Sequence, residues 1–91
     1  MIHELKTWAP YFEMMRSAVK SFELRKDDRG FKVGDILVLQ EYEPGNPGRY
    51  TGRSVRVGVA WILRNAPEWG LEDGYCIMQT ELLGAAKREK A

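Results

Sequence analysis

The 91-residue chain has few of the residues on which several protein classes depend. It contains one cysteine, Cys76, and one histidine, His3. A lone cysteine excludes a disulfide within the chain and indicates a reducing compartment, and the two residues are too few for a conventional zinc site. No run is apolar for long enough to span a bilayer, and the N-terminus lacks the features of a secretory signal. We therefore expect a cytoplasmic protein with no membrane association, no metal and no cofactor.

The chain also lacks an excess of charge of either sign, since its formal net charge is +1. That balance hides an uneven distribution, because residues 16–32 carry a net charge of +3, residues 49–64 carry +4 and residues 65–81 carry −4. Two basic segments that met in the fold would attract nucleic acid. The alternative is that these charges only solvate the outer faces of strands.

The N-terminal part of the chain predicts a helix. Pro10 suits the first helical position and marks its start. Tyr11, Met14, Met15 and Ala18 recur at helical spacing. We expect these four side chains, extended by Phe12 and Val19, to form the apolar face that packs on the core.

Strands are predicted for most of the remaining chain. Apolar and polar side chains alternate from Ser54 to Arg64, and this pattern predicts a strand whose core face carries Val55, Val57, Val59, Trp61 and Leu63. One helix and about five or six short strands indicate a small, strongly bent sheet or barrel, an α+β fold that is mainly β. Periodicity alone also allows other α+β arrangements. Residues 84–91 are polar and predict a C-terminal tail.

The stretch from Lys20 to Asp35 predicts a strand with two unlike faces, followed by a charged loop. Because side chains alternate along an extended chain, Phe22 and Leu24 are expected to enter the core. Ser21, Glu23 and Arg25 then lie on the other face, where they can line a surface or a cleft.

The same stretch carries a family resemblance. Lys20-x-x-Glu23-x-Arg25, after a short helix and before Val33-Gly34-Asp35, resembles the motif of the ASCH domain, which belongs to the PUA-like superfamily of small β-barrels associated with RNA. Within it, the chain is most similar to a small bacterial and phage domain of unknown function. The residues that carry this similarity are His3, Leu5, Lys6, Tyr11, Phe12, Glu13, Lys20, Ser21, Phe22, Glu23, Arg25, Asp28, Arg29, Tyr50, Thr51, Gly52, Gly74 and Tyr75.

The resemblance implies a PUA-like (ASCH) β-barrel over residues 1–83, with the N-terminal helix packed against it. It also implies a turn between helix and strand at Ala18, where relatives usually carry a glycine that permits a left-handed backbone. Ala18 therefore leaves the shape of this turn open.

The leading functional hypothesis is a module that binds RNA or a nucleotide in a cleft beside Lys6, Lys20, Glu23 and Arg25. Lysine and arginine hold phosphate, and the carboxylate can accept hydrogen bonds from a base or orient the arginine. Further candidates are Ser21, Arg29, Tyr50 and Arg53. Four aromatic residues near loops can stack on an unpaired base, namely Tyr42, Tyr50, Trp69 and Tyr75. The alternative is an ion-paired strand face without a ligand.

Two other functions stay open at this point. Some small bacterial ASCH relatives are amidohydrolases that remove the acyl group from N4-acetylcytidine, with a threonine three residues after the motif lysine as nucleophile. Here that position is Glu23, so only Ser21 beside Lys20 offers a hydroxyl, and the catalytic residues remain unassigned. The third possibility is a protein-interaction module that uses an exposed sheet edge or the basic face. We expect a monomer or weak homodimer.

Overall fold

The computed structural model describes residues 1–83, which form one α-helix, a short 3-10 helix and five strands. The elements in chain order are β1 (Ile2–Trp8), α1 (Ala9–Arg16), β2 (Phe22–Lys26), β3 (Ile36–Glu43), β4 (Arg49–Arg64), the 3-10 helix Pro67–Trp69, and β5 (Tyr75–Leu83). The expected α+β, mainly β class is confirmed. The predicted tail, residues 84–91, lies outside the described residues, and the assignment of residues 1–83 to one domain stays a prediction.

The strands form one sheet in the order β1-β3-β4-β5-β2. β1 runs parallel to β3, whereas the other neighbouring pairs are antiparallel. In a flat sheet the two edge strands would be about 19 Å apart, four strand spacings of about 4.8 Å. The Arg25 guanidinium of β2 nevertheless lies 2.7 Å from the Lys6 carbonyl oxygen of β1. The sheet is therefore curled into a half-barrel whose edges face each other.

The core lies inside this curl and under α1. It is formed by side chains from every element except β2 and the 3-10 helix, and from the loop that precedes β3. The buried members are Leu5, Phe12, Met15, Phe31, Leu37, Leu39, Val55, Val57, Val59, Cys76 and Met78. α1 packs on β1 and β3, so the helix covers one end of the hydrophobic interior.

The helix begins as predicted but buries only part of the predicted face. α1 starts at Ala9 with Pro10 in its first turn. Phe12 and Met15 are its buried residues, whereas Tyr11 and Met14 are exposed. The prediction that Tyr11 and Met14 pack on the core was wrong, because a helix of only eight residues can turn either of two apolar stripes inward.

The predicted alternation in β4 holds for the valines and then reverses. Val55, Val57 and Val59 are buried, but Trp61 is exposed. A register shift between Val59 and Trp61 in the pairing with β5 causes the reversal, since one extra residue turns the following side chains to the opposite face. Trp61 on the core face was therefore a wrong prediction.

The turn after α1 is left-handed although no glycine occupies it. Ala18 has φ +65°, and the backbone N–H groups of Ala18 and Lys20 donate to the carbonyls of Met15 and Met14. This turn brings Lys20 to the start of β2. None of the helices within residues 1–83 combines the length and the hydropathy that crossing a membrane requires.

Candidate binding cleft

Glu23 is the centre of the candidate site, and the structure inverts its expected environment. Glu23 is only 4% exposed, whereas Phe22 and Leu24 are 48% and 53% exposed. The predicted orientation of β2 was therefore wrong. The inward face pairs Glu23 with Met78 and Arg25 with Cys76 of β5, so charged side chains adjoin fully buried neighbours.

Two cations make this burial of a carboxylate possible. The Lys20 ammonium lies 3.1 Å from Glu23 Oε1, and Arg25 Nε lies 2.7 Å from Glu23 Oε2. A buried charge is tolerated when it is paired and hydrogen-bonded. Each carboxylate oxygen accepts one charge-assisted hydrogen bond, and the three residues form a fixed cluster on the inner face of β2.

Arg25 also bridges the two edges of the sheet. Its Nη2 donates to the Lys6 carbonyl at 2.7 Å and to the Thr7 hydroxyl at 3.1 Å. Arg29 makes a similar bond from Nη1 to the Glu4 carbonyl at 3.2 Å. Both carbonyls belong to the edge of β1 that faces away from β3, its strand partner within residues 1–83. Arginine side chains thus satisfy part of an edge that no strand in the described part of the chain covers.

A cleft of about 550 Å³ opens between these edges beside Arg25. We refer to it as the cleft. Its lining comes from the end of β1, the start of α1, the connection between α1 and β2, the whole of β2 and the first residue of β5. The lining residues are Lys6, Thr7, Trp8, Tyr11, Lys20, Phe22, Glu23, Leu24, Arg25, Lys26 and Tyr75.

The cations of the cleft differ in their capacity for a ligand. The Lys20 ammonium already donates to Glu23, to the Phe22 carbonyl at 2.7 Å and to Met15 Sδ at 3.9 Å, which occupies its three N–H groups. Arg25 uses Nε and Nη2 in the bonds above, and within residues 1–83 its Nη1 has no protein acceptor. Lys26 is exposed. Lys20 therefore positions Glu23, while Arg25 and Lys26 can contact a ligand.

The structure brings together the four residues that the leading hypothesis placed in one site. Lys6, Lys20, Glu23 and Arg25 all line the cleft. The Lys6 ammonium lies over the Tyr42 ring, 4.2 Å from its centroid. It therefore faces the outer surface of the sheet, and Lys6 reaches the cleft by way of its backbone.

The further candidates lie elsewhere. Ser21 is exposed and does not line the cleft, and within residues 1–83 its hydroxyl makes no bond to Lys20. The amidohydrolase hypothesis thus gains no support from this pair. Arg29 bridges to β1 but is not part of the cleft lining. Tyr50 and Arg53 line a second cavity of about 310 Å³, with Gln40, Glu41, Gly52 and Ser54.

An ion-pair network ties α1 to the wall of the second cavity. Arg53 contacts Glu41 at 2.9 Å and Glu13 of the helix at 3.1 Å, and Thr51 donates to Glu41 at 2.7 Å. Hydrogen bonds from Arg16 first and Arg53 second lower the pKa of Glu13 to about 2. This network is structural, since the Arg53 guanidinium serves both carboxylates at once.

Most arginines of the second basic segment form ion pairs within the protein. Three arginines of residues 49–64 are paired with acids: Arg49 with Glu43, Arg53 with Glu41 and Glu13, and Arg64 with Asp27. The hydrogen bond to Asp27 raises the pKa of Arg64. Most of the positive charge of this second segment is therefore compensated by acids within residues 1–83.

Six lining residues were missed by sequence reasoning: Thr7, Trp8, Tyr11, Phe22, Leu24 and Lys26. Trp8 could have been recognised from the sequence as a site residue. It is a large aromatic residue at the end of a strand, just before the proline that starts the helix, and it does not fit a short apolar core face. Thr7 could not, since its role depends on Arg25 reaching across from β2. No three His, Cys, Asp or Glu side chains in the described part of the chain gather as metal ligands.

Two comparisons with known proteins bear on this chain. The family model described as "Domain of unknown function (DUF3850)" matches residues 2–80. The "Uncharacterized 12.9 kDa protein in GpA 3'region" of Escherichia phage P2 is 38% identical over 72 residues. These residues are 79% of this chain and 62% of the phage protein, so the chain matches less than two thirds of that relative.

Proposed function

The chain belongs to this family of unknown function, DUF3850, and from that premise we propose that it is a PUA-like module of the ASCH type that binds RNA or a nucleotide in the cleft. The Lys20-x-x-Glu23-x-Arg25 pattern supports the superfamily. The curled half-barrel with a helix at one end is the scaffold that such a domain needs.

The composition of the cleft is the observation that carries the proposal. Its lining holds three basic side chains, those of Lys20, Arg25 and Lys26, and the acidic side chain of Glu23, a formal charge of +2. The aromatic residues Trp8, Tyr11, Phe22 and Tyr75 also line it. Cations bind phosphate, and aromatic rings stack on unpaired bases. A nucleotide carries a phosphate and a base within one unit, and the cleft offers cations and aromatic rings within one cavity.

Arg25 and Lys26 each have a defined part in this binding. Arg25 Nη1 donates to a phosphate oxygen, since its other nitrogens are held by Glu23, Thr7 and the β1 edge. Lys26 adds a second positive charge at the rim. A guanidinium fixed on one side is pre-organised for the ligand, so less entropy is lost on binding.

The test is RNA binding with a matched pair of lysine variants. Binding of a labelled single-stranded RNA is measured by fluorescence anisotropy at several salt concentrations. With Arg25 and Lys26 facing the ligand in the cleft, the slope of log K against log salt is expected to be about −1.4, at about −0.7 for each phosphate neutralised.

Lys26→Ala should weaken binding and reduce that slope by about 0.7. Lys32→Ala is the control, because Lys32 is also exposed and lies outside the cleft. An affinity that does not change with salt concentration, or equal losses of affinity in Lys26→Ala and Lys32→Ala, would refute the proposal.

A further inference from the structure

A row of aromatic residues crosses the outer face of the half-barrel and begins at the cleft. Trp8 of β1 is the register partner of Tyr42 of β3, and Tyr42 is the partner of Tyr50 of β4. The three residues therefore lie side by side on adjacent strands. Trp8 lines the cleft and Tyr50 lines the second cavity, so the row connects the two cavities.

Core packing does not account for the two ends of this row. Trp8 and Tyr50 are 52% and 53% exposed. Tyr42 is more enclosed, because its ring meets the Tyr50 ring edge-on at a centroid distance of 5.0 Å and Lys6 covers one of its faces. Trp8 and Tyr50 thus offer open aromatic surface, and Tyr42 holds the space between them.

Spacing and charge indicate what fits. Two strand intervals separate Trp8 from Tyr50 by about 10 Å, whereas successive bases stacked in a duplex strand lie about 3.4 Å apart. Bases on these two rings therefore cannot remain stacked on each other. The Lys6 ammonium, 4.2 Å from the Tyr42 centroid, lies over the middle of the row, where the intervening phosphate of an unstacked strand would pass.

Building on the proposed function, we infer that the row Trp8–Tyr42–Tyr50 binds an unpaired, unstacked segment of nucleic acid that continues out of the cleft. One base stacks on Trp8, the following phosphate contacts Lys6, and a second base stacks on Tyr50. The amide of Gln40 and the hydroxyl of Ser54, which also line the second cavity, offer hydrogen bonds to the edge of that second base. The ligand class is single-stranded rather than duplex nucleic acid.

The experiment compares ligands of different length and pairing. The probes are uridine monophosphate, a labelled oligouridylate of about ten nucleotides and the same strand annealed to its complement. The variants are Tyr50→Leu and Tyr50→Phe, with Trp69→Leu as control, because Trp69 is exposed and belongs to neither cavity.

Tyr50→Leu should lower affinity for the oligonucleotide by about 5- to 150-fold, the worth of one stacked base, and leave affinity for the mononucleotide unchanged. Tyr50→Phe should restore binding, because phenylalanine keeps the ring. Annealing the complement should remove the advantage of the longer strand.

The outcomes separate the two proposals. If Tyr50→Leu has no more effect than Trp69→Leu while Lys26→Ala weakens binding, the row is refuted and the cleft stands. Equal affinity for duplex and single strand also refutes the row. If neither nucleotide nor RNA binds, both proposals fail.

Discussion

Removal of the Glu23 charge should cost this protein a large part of its stability. Glu23→Gln keeps the size of the side chain but leaves Lys20 and Arg25 without a counter-ion. Their side chains are only 17% and 24% exposed, so water replaces the lost carboxylate poorly. The variant also turns an amide N–H₂ group toward one of the two cations.

The expected magnitude follows from the two bonds that are lost. A hydrogen bond to a charged group contributes about 1.5–3 kcal/mol, and the glutamine oxygen retains one neutral bond of about 1 kcal/mol. We expect the free energy of unfolding to fall by about 2–4 kcal/mol, below the upper range for a fully buried pair because both cations can partly rehydrate. For a domain of this size each kcal/mol shifts Tm by about 4–8 °C.

Urea unfolding followed by circular dichroism measures this change, with Glu43→Gln as the matched control. Glu43 contacts Arg49 at 2.8 Å, but these side chains are 47% and 69% exposed. An exposed pair of this kind contributes about 0–1 kcal/mol and weakens with salt. Equal losses in Glu23→Gln and Glu43→Gln, or a Glu23 effect that disappears in high salt, would refute the buried-cluster argument.

Three further outcomes are expected. Ala18→Gly should raise the free energy of unfolding by about 0.5–1 kcal/mol, because an alanine in the left-handed region costs more than glycine loses in chain entropy. The control Asn65→Gly, at φ +58°, should change the free energy of unfolding little, since asparagine tolerates this region. Equal effects of the two substitutions would contradict the strain argument. The pKa of Asp35 is lowered mainly by the hydrogen bond from His3. The loss of unfolding free energy in Asp35→Asn should therefore reach its full size above about pH 4 and disappear as the pH falls through the pKa of Asp35 in the folded protein. A loss that is independent of pH in urea titrations would contradict this. Burial raises the pKa of Cys76, so iodoacetamide should label it only at the rate of global opening, and fast labelling of the folded protein would show otherwise.

Much of the fold was readable from the sequence because local rules decided it. Pro10 set the start of α1, and the valines of β4 identified its buried face. Residues 44–48, Pro-Gly-Asn-Pro-Gly, are of types that break regular structure, and they lie between β3 and β4. In each case the residue type and its immediate neighbours were enough.

The orientation of β2 was not readable from local rules. Alternation favours Phe22 and Leu24 inside, and the rule fails because Glu23 finds Lys20 and Arg25 close enough to satisfy its charge. Those contacts depend on the turn at Ala18 and on the curl of the whole sheet. The same holds for Trp61, whose outward position depends on the bulge in the pairing between β4 and β5.

The candidate site was predicted as a set of residues but not as a geometry. Lys20, Glu23 and Arg25 were identified from their pattern, and they do share the cleft. Thr7 could not be added, because β1 meets β2 only when the half-barrel curls. Sequence patterns report neighbours along the chain, whereas the cleft joins strands from opposite edges of the sheet.

The close approach of the two edge strands has a consequence for the tendency of the protein to aggregate. A free strand edge is a template on which another chain can add a strand and begin to aggregate. Here each edge shields the other, and Arg25 and Arg29 lie across the gap. The protein thereby leaves a ligand-sized opening without offering a foreign polypeptide an uninterrupted row of hydrogen-bonding groups.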